Sequence, residues 1–475
     1  MAFNSITFIL FFAIVLGVDR AGWLSWGGKK LFLLCASYLF YASWNPPFVV
    51  LLWISTVVDF VAAQRIARAD TRGRKRFWLI VSLGVNLGML AAFKYGNFLL
   101  EIFGDVLGLF GLAWEGNTYS IIFPAGISFY TFQTLSYTLD VYKGKLKPDA
   151  KFLDFALFVT FFPQLVAGPI VRAADFLPQI IKEKRATANQ LGWGLVLITI
   201  GIFIKVVLAD GILANAVNMT YSGWESAGLV MSWVGTTAFS GQIYFDFAGY
   251  SLTAIGCALC LGLVLPDNFN FPYAAIGFSD FWRRWHISLS TWLRDYLYLP
   301  LGGNRAGVSR TYVNLMMTML LGGLWHGASW RFVAWGGLHG LYLVLERLFK
   351  KAYPERRWMD HYWMQLLAAL GTYVLVCFTW VFFRAQSFDA AFFMIKSMLG
   401  FHPHLTGNLV SNFVVLGVAV VVFSMLFFNW FLRHTSLEAE AKKMPWWSKA
   451  VVLSAMWYAI VLAPGERVAF IYFQF

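Results

Sequence analysis

Two histidines in apolar surroundings are the residues of this sequence whose type and position best suit chemistry. His286 lies in FSDFWRRWHISLSTWLRDYLYLPLGGNR and His326 in LMMTMLLGGLWHGASW. Burying an imidazole costs desolvation free energy, so a titratable side chain in an apolar span is first a functional hypothesis. The alternative is a core histidine satisfied by a neighbouring carbonyl group. His326 has the stronger claim, because no charged residue lies between positions 315 and 325.

The apolar stretch that carries His326 is too long for one simple span. Residues 312–345 contain a single charged residue, Arg331. At about 1.5 Å per residue a helix of that length exceeds a hydrocarbon core of about 30 Å. We therefore expect a break at Gly322 and Gly323, or at Gly327, where a side chain can line a cavity. On a continuous helix His339 would lie about 20 Å along and about 140° around from His326, so we predict no simple pair.

The segment around His286 is predicted to be one helix over residues 280–298. Residues four apart then share a face, which places His286 on a polar stripe with Ser290, Arg294 and Tyr298. Its charges suit the membrane interface or the interior of a bundle better than a lipid-exposed span. In the functional interpretation, Arg284 or Arg294 clamps the phosphates of a cofactor arriving from the cytoplasm. A basic amphipathic helix lying on anionic headgroups fits the same pattern equally well.

Other chemistry-bearing patterns give weaker signals. Asp246 is the only charged residue in 226–265, so it must face protein or water, and pairing with an arginine or histidine is expected. Cys257 and Cys260 have redox-motif spacing, but without a βαβ context we expect apolar packing. There is no H-E-x-x-H, G-x-S-x-G or P-loop pattern, and no carboxylate at ligand spacing beside His326. We therefore predict no metal site.

Composition places these residues in a polytopic membrane protein. Of the 475 residues, 59% are hydrophobic and 13% are charged, against about 25% charged residues in soluble domains. Several apolar runs must hold two segments, so we expect roughly eleven spanning or re-entrant helices in one domain over residues 1–475. The runs of spanning length are residues 1–18, 31–58, 77–100, 155–171, 191–209, 226–265, 312–345, 362–383 and 409–432.

The net charge of +13 comes from short loops between these runs, which is the positive-inside pattern and not that of a nucleic-acid-binding protein. Residues 65–76 contain six basic residues and one Asp, so we place them in the cytoplasm. Counting back through the turn at Asn45, Pro46 and Pro47 places the N-terminus outside. We interpret the first run as a retained helix, because it lacks a basic leader and a small-residue cleavage site.

Eight sequence blocks extend along the whole chain: FPAGISFYTFQTLSYTLDVYKG (123–144), FPQLVAGPIVR (162–172), YFDFAGYS (244–251), NFNFPY (268–273), FWRRWHISLSTWLRDYLY (281–298), LGGNR (301–305), MLLGGLWHGASW (319–330) and the terminal FIYFQF (470–475). Together these blocks resemble the membrane-bound O-acyltransferase (MBOAT) family, and within it the bacterial subgroup that acetylates alginate. Relatives usually follow the YFDF block with an aspartate and a methionine, where this chain has Leu252 and Thr253.

The resemblance implies an all-α membrane enzyme in which helices surround a central tunnel, accompanied by interfacial helices. The catalytic histidine of the family maps onto His326. A second characteristic position, histidine in this subgroup and asparagine elsewhere, maps onto His286. His326 would act as general base or acyl carrier, and His286 would orient a thioester or stabilise an oxyanion. Asp246 and Trp325 would support or line the tunnel.

The same resemblance implies a donor, an acceptor and a location. The donor would be cytoplasmic acetyl-CoA, with no permanently bound cofactor, and the protein would lie in the cell inner membrane. Periplasmic SGNH-hydrolase-like acetyltransferases and the exopolysaccharide machinery would be its partners, and an exported polysaccharide, foremost alginate, would receive the acetyl group. Cellulose or teichoic-acid modification remains an alternative. A transporter of glycolipid or polymer, with histidines in a proton relay, is the alternative from another class.

Overall fold

Helices form all the regular structure in the described part of the chain. The computed structural model describes residues 1–112, 114, 122–166, 168–305, 307–354, 360–403, 405, 409–463 and 470–471. Two compact units are present: Met1–Ile198 with Thr253–Pro266, and Thr199–Leu252 with Asp267–Phe475. The predicted all-α class is confirmed, whereas the single-domain organisation stays a prediction. Residues 472–475 of the terminal FIYFQF block lie outside the described residues.

The first unit is built from short and long helices in chain order. A 3-10 turn, Pro46–Phe48, separates its second and third helices, at the predicted turn. This is expected, because proline cannot continue a helix from within but suits its first turn. The helices are α1 (Ile6–Arg20), α2 (Trp26–Ala42), α3 (Val49–Arg68), α4 (Arg72–Leu90), α5 (Gly96–Leu109), α6 (Ile127–Tyr142), α7 (Phe152–Thr160), α8 (Phe162–Leu165), α9 (Ala173–Ile181) and the start of α10 (Ala188–Phe203).

The second unit carries both histidines. A wide π-helical stretch, Ile204–Leu213, continues α10 into this unit. The last turns of α12 belong to the first unit. The helices are α11 (Ala214–Ser222), α12 (Leu229–Cys260), α13 (Phe278–Arg284), α14 (Ile287–Leu293), α15 (Val308–His326), α16 (Trp330–Ala352), α17 (Tyr362–Arg384), α18 (Phe388–Met398), α19 (Asn412–Leu432), α20 (Leu437–Lys443) and α21 (Trp446–Leu462).

Six helical segments in the described residues are long and apolar enough to cross a membrane, as a multi-pass protein requires. The run 226–265 was long enough for two segments but forms one helix, α12, of 32 residues. The apolar α21 was not among the predicted runs, because Lys449 interrupts it. The predicted count of eleven stays a prediction. The six segments are Pro46–Arg68, Arg72–Leu109, Ala188–Ser222, Leu229–Cys260, Tyr362–Arg384 and Asn412–Leu432.

A buried polar network holds α3, α4 and α6 of the first unit together. Asp59 on α3 is fully buried and accepts hydrogen bonds from the Ser82 hydroxyl, from Asn86 Nδ2 at 2.8 Å and from Thr138 Oγ1 at 3.0 Å. Ser55 Oγ donates to Asn86 Oδ1 at 2.7 Å. Inside apolar surroundings such bonds offset the cost of removing these groups from water. The network therefore fixes how the three helices pack.

The stretch 312–345 folds into a tight hairpin of α15 and α16. Of the expected break positions, Gly327 is confirmed, because α15 ends at His326 and α16 begins at Trp330. Gly323 lies within α15, where a Cβ atom would stand 2.2 Å from the Phe332 carbonyl oxygen. A Cβ on Gly336 would stand 2.2 Å from the Met319 carbonyl oxygen. These glycines therefore allow close helix packing and do not break the helix.

The predicted helix over residues 280–298 is wrong as a continuous element. α13 ends at Arg284, α14 begins at Ile287, and a π-helical turn, Arg294–Tyr298, follows. The interruption is at His286, whose φ of 43° and ψ of 54° are left-handed. A left-handed residue reverses the curl of the chain and ends a right-handed helix. The polar stripe that continuity implied therefore does not form across this break.

Candidate active site

The structure brings His286 and His326 together. Their ring centroids lie 6.4 Å apart at an interplanar angle of 61°. His286 is 0% exposed and His326 is 2% exposed. His286 immediately precedes α14 and His326 ends α15, so both imidazoles project from helix ends, where the backbone is not wholly satisfied by the helix itself. Two imidazoles at this spacing suit one reacting centre served by a base and a polarising group.

The left-handed turn at His286 is held by a short pairing with residues 268–270. Asn270 N donates to the Arg284 carbonyl at 2.9 Å, and Ile287 N donates to the Asn268 carbonyl at 2.9 Å. The Asn268 side chain accepts from Ser288 Oγ at 2.6 Å and donates to Ser251 Oγ at 3.1 Å. A left-handed non-glycine residue costs about 1–2 kcal/mol. These bonds on both sides of the break offset that cost.

α13 and α14 form a re-entrant pair with His286 at its tip. The Phe278 ring stacks on Tyr342 at 4.4 Å, and Trp282 lies against Trp335 at 5.8 Å, so α13 follows α16 towards its N-terminus. On the return, Leu293 reaches Gly322 of α15, where a Cβ atom would stand 3.2 Å from the leucine methyl carbon. α13 therefore begins along α16, away from the connection between α15 and α16, and His286 meets His326 close to that connection.

Aromatic rings surround the two imidazoles. His286 lies edge-on to Phe247 at 4.6 Å, and His326 lies edge-on to Trp335 at 4.9 Å and to Phe383 at 5.4 Å. Trp325 contacts both histidines, at 5.9 Å from His286 and 5.0 Å from His326. Low-polarity walls strengthen any electrostatic interaction formed inside them. Trp325 therefore lies beside the candidate catalytic pair, where the family resemblance implies a residue lining the tunnel.

His339 belongs to the same aromatic cluster without touching His326 directly in the ring contacts of the described residues. The Trp335 ring lies between them, 4.9 Å from His326 and 4.8 Å from His339. Thr379 Oγ1 lies 3.0 Å from His339 Nε2. The 20 Å separation applied only to a continuous helix, and the hairpin instead folds α16 back along α15. Thr379 of α17 holds His339 at Nε2.

Asp246 is paired, but its partner is a lysine and not an arginine or histidine. Lys205 Nζ lies 2.5 Å from Asp246 Oδ1 and 2.8 Å from Asp210 Oδ1, and all three side chains are buried. The triad was not predicted from the sequence, although Lys205 is the one charge in its own apolar run. A lone lysine and a lone aspartate in separate spans could have been paired, because neither is stable unpaired in lipid.

The triad is linked to the histidine pair through aromatic rings. Ile471 N donates to Asp246 Oδ2 at 2.7 Å, and the neighbouring Phe470 ring lies 5.7 Å from Phe247. Phe247 in turn contacts His286. Asp246 therefore supports the wall of the site from behind and binds a segment near the C-terminus.

The two arginines singled out as phosphate ligands have different surroundings. Arg284 donates through Nε to Asp280 at 3.0 Å and through Nη1 to the carbonyls of Asn270 and Arg433, each at 3.2 Å. Arg294 is paired with Asp295 at 2.7 Å, but 59% of its side chain is exposed. Arg284 is thus already used to brace the re-entrant pair, whereas Arg294 can also reach a ligand in solvent.

The described residues contain no group of three or more His, Cys, Asp or Glu side chains arranged to hold a metal ion. Cys257 and Cys260 are buried free thiols. A Cβ on Gly194 would stand 2.6 Å from Cys260 Sγ, so this thiol packs directly against the α10 backbone within the first unit. The two cysteines therefore occupy apolar packing positions.

Comparison with known proteins identifies the family. A model of the membrane-bound O-acyltransferase family matches residues 148–388. A peptidoglycan O-acetyltransferase of Helicobacter pylori is 35% identical over 94% of this chain and 91% of its own length. A probable alginate O-acetylase of Pseudomonas aeruginosa is 38% identical over 93% of this chain and 85% of its own length. A teichoic acid D-alanyltransferase of Bacillus subtilis is 29% identical over 57% of this chain and 71% of its own length. The chain therefore belongs to the membrane-bound O-acyltransferase family and is a multi-pass membrane O-acyltransferase.

Proposed function

We propose that this chain takes an acetyl group from cytoplasmic acetyl-CoA and passes it across the inner membrane for O-acetylation of an exported polysaccharide, with alginate as the polymer. The observation that carries the proposal is the buried pair of imidazoles, 6.4 Å apart, at the tip of the re-entrant pair. In this proposal the thioester reaches the histidine pair from the cytoplasmic side, and the hydroxyl acceptor reaches it from the outer side. The proposal includes an orientation, in which the N-terminus lies in the periplasm and the basic residues 65–76 lie in the cytoplasm.

In this mechanism neutral His326 removes the proton of the attacking hydroxyl as its oxygen forms a bond to the acetyl carbonyl carbon. The alternative role is nucleophilic, with the imidazole carrying the acetyl group between donor and acceptor. In both, the thioester C–S bond breaks and CoA leaves as the thiol. His286 orients the thioester or stabilises the charge that develops on its carbonyl oxygen. Asp246 and Trp325 hold the surrounding wall.

Acetyl-CoA carries its charge on phosphates, and the exposed Arg294 guanidinium is better placed than Arg284 to bind them. The partners proposed outside the membrane are SGNH-hydrolase-like acetyltransferases acting with the exopolysaccharide machinery. The similarity to probable alginate O-acetylases favours this assembly. The immediate acceptor is then either a sugar hydroxyl or a serine of such a partner.

The decisive experiment measures CoA release from acetyl-CoA by the purified protein in lipid, with and without polymer and periplasmic extract on the outer side. Wild type is compared with His326→Ala, and with His361→Ala, which removes an exposed histidine. We expect loss of release only in His326→Ala. Release that persists in His326→Ala would refute the assigned role, and absence of acetyl-CoA binding by wild type would favour a transporter.

A second polymer deserves a direct test because the Helicobacter pylori relative, matched over 94% of this chain, is a peptidoglycan O-acetyltransferase. Mass spectrometry of alginate, cellulose and peptidoglycan from a strain lacking this chain separates the candidates. We expect acetyl groups to disappear from alginate. Selective loss of acetyl groups from peptidoglycan or cellulose would retain the proposed acetyl transfer but show that the acceptor is that polymer and not alginate. Loss of D-alanyl esters from teichoic acid would show that both the proposed acceptor and the proposed acetyl donor are wrong.

A further inference from the structure

Two arginines lie close together just beyond the aromatic wall of His326. Arg331 is in the first turn of α16 and Arg384 is the last residue of α17. Their chain neighbours, Phe332 and Phe383, are in edge contact at 4.9 Å. The Arg384 guanidinium lies near enough to disfavour the positive charge of Arg331, in addition to the larger effect of burial. Both side chains are half-buried, so solvent screens this repulsion incompletely.

Neither arginine has a carboxylate within salt-bridge distance among the residues that the structure describes. Arg384 donates through Nη2 to Asn218 Oδ1 at 2.9 Å, and its guanidinium lies 5.4 Å from the centre of the Tyr221 ring. Arg331 lies 6.0 Å from the Phe332 ring. Neutral amides and rings compensate a guanidinium only partly, and burying like charges together costs free energy. An anion between the two would remove that cost.

The site lies at the His326 end of the α15–α16 hairpin. The Phe383 ring contacts His326 at 5.4 Å and is followed directly by Arg384. α13 begins beside Tyr342, towards the opposite end of α16. The first turn of α16 contains no acidic residue, so no carboxylate in that turn balances the positive end of the helix dipole. An anion at this position is therefore on the far side of His326 from the entry of the re-entrant pair.

We propose that Arg331 and Arg384 bind a carboxylate of the acetyl acceptor, so that an acidic, uronate-bearing saccharide is held with a hydroxyl near His326. The proposal rests on the proposed function for the location of the acceptor. A guanidinium matches a carboxylate with two parallel hydrogen bonds, which fixes orientation as well as position. Arg384 is already oriented by Asn218, so little side-chain freedom remains to be lost on binding.

The test is direct binding of a short oligouronate to the full-length protein in lipid nanodiscs, by calorimetry at low salt. Neutral cello-oligosaccharide of equal length controls for sugar binding without charge. Arg331→Gln and Arg384→Gln are compared with Arg347→Gln, which removes an exposed cation from the other end of α16. We expect each of the first two to weaken oligouronate binding about tenfold or more, and Arg347→Gln to leave it unchanged.

Arg384→Lys keeps a charge but loses the planar fork, so its affinity should fall between wild type and Arg384→Gln. Thermal unfolding of each variant separates lost binding from lost folding. Unchanged oligouronate affinity in the folded Arg331→Gln and Arg384→Gln proteins would overturn the proposal. So would equal loss in Arg347→Gln, or equal binding of the neutral saccharide.

A lipid phosphate could offer the same anionic chemistry, so the assay is repeated in nanodiscs of phosphatidylcholine alone and with phosphatidylglycerol. Arginine-dependent binding of oligouronate in phosphatidylcholine supports the proposal. Arginine-dependent retention of phosphatidylglycerol with no oligouronate binding overturns it in favour of a lipid site. Because CoA release is measured separately with His326→Ala, absence of acetyl transfer refutes the proposed function without affecting a positive binding result.

Discussion

Among the buried carboxylates of the described residues, those of Asp59 and Asp246 have opposite surroundings. Asp59, in the first unit, accepts hydrogen bonds from Ser82, Asn86 and Thr138, which are all neutral. Asp246, in the second unit, shares the cation Lys205 with Asp210. The first cluster can be satisfied by helix packing alone. The second has two carboxylates for one ammonium, and it adjoins the rings around His286.

The two clusters differ in the free energy that their burial costs. Hydroxyl and amide donors around a carboxylate offset most of its desolvation free energy, so such a carboxylate can serve packing. A buried charged triad contributes little net stability compared with apolar side chains of similar volume, so its retention is better explained by positioning than by stabilisation. We therefore expect substitutions in the first cluster to affect folding, and those beside the histidines to affect acetyl transfer as well.

The largest stability effect is expected for Lys205→Met. Removing the ammonium leaves Asp210 and Asp246 buried side by side without their cation, which costs about 3–5 kcal/mol. Thermal unfolding in lipid or detergent should show a large loss of stability, and CoA release should fall with it. Asp210→Asn in the same background restores charge balance in part and should recover stability; failure to recover would show that the triad is not electrostatically coupled.

Asp59→Ala should destabilise the first unit by a smaller amount. We expect a cost of about 1–3 kcal/mol in all, because Asn86 Nδ2 keeps the Ser82 carbonyl as an acceptor at 3.0 Å and the hydroxyl groups of Ser82 and Thr138 can rotate to other acceptors. The measurement is the unfolding midpoint, together with CoA release per folded molecule. We expect a lower midpoint with nearly normal release. Strongly reduced release in fully folded protein would contradict the assignment of this cluster to packing.

Asn268→Ala tests whether location or charge decides the outcome, because Asn268 is neutral yet lies beside His286. Without its side chain, Ser288 and Ser251 lose their bridge and the left-handed turn loosens. Misplacement of a catalytic group by about 1 Å can cost on the order of 100-fold in rate. We expect CoA release to fall about 10- to 100-fold with a modest change in unfolding midpoint. Normal release would show that the backbone pairing alone holds the turn.

The smallest effect is expected for Arg294→Ala, since the side chain is largely exposed and its pair with Asp295 is worth about 0–1 kcal/mol. Stability should be unchanged. If Arg294 contacts acetyl-CoA phosphates, the KM for acetyl-CoA should rise several-fold, more at low salt than at high salt. Arg283→Ala, which removes another exposed cation, is the control. An equal rise of the KM for acetyl-CoA in this variant would show that the effect comes from general surface charge and not from a contact with Arg294.

Local patterns in the sequence predicted much of the architecture. Most of the apolar runs became long helices, whereas run 155–171 is divided between the short helices α7 and α8. The turn at Pro46 and Pro47 formed, and Gly327 marks the break after α15. Those features depend on hydrophobicity and on backbone restrictions of single residues. The pairing of His286 with His326 was anticipated from the family resemblance, and the structure places the two rings together.

Features that depend on tertiary contacts were not predictable in the same way. Helical periodicity over residues 280–298 gave no sign that His286 would leave the helix, because the bonds from Asn268 that stabilise the turn come from a separate segment. The closeness of His326 to Trp335 required the hairpin geometry, because the two residues lie on different helices. Lys205 could have been recognised as the partner of Asp246 by matching lone charges in apolar runs.

The left-handed conformation of His286 also restricts what this position can become. Asparagine, aspartate and histidine are the non-glycine residues that adopt this conformation most readily, whereas branched or bulky side chains resist it. His286 and Phe271 are the non-glycine residues with positive φ in the described chain. The backbone thus limits the substitutions open to evolution before any selection for chemistry acts, and histidine and asparagine, the two residues that the family resemblance puts here, are both within that set.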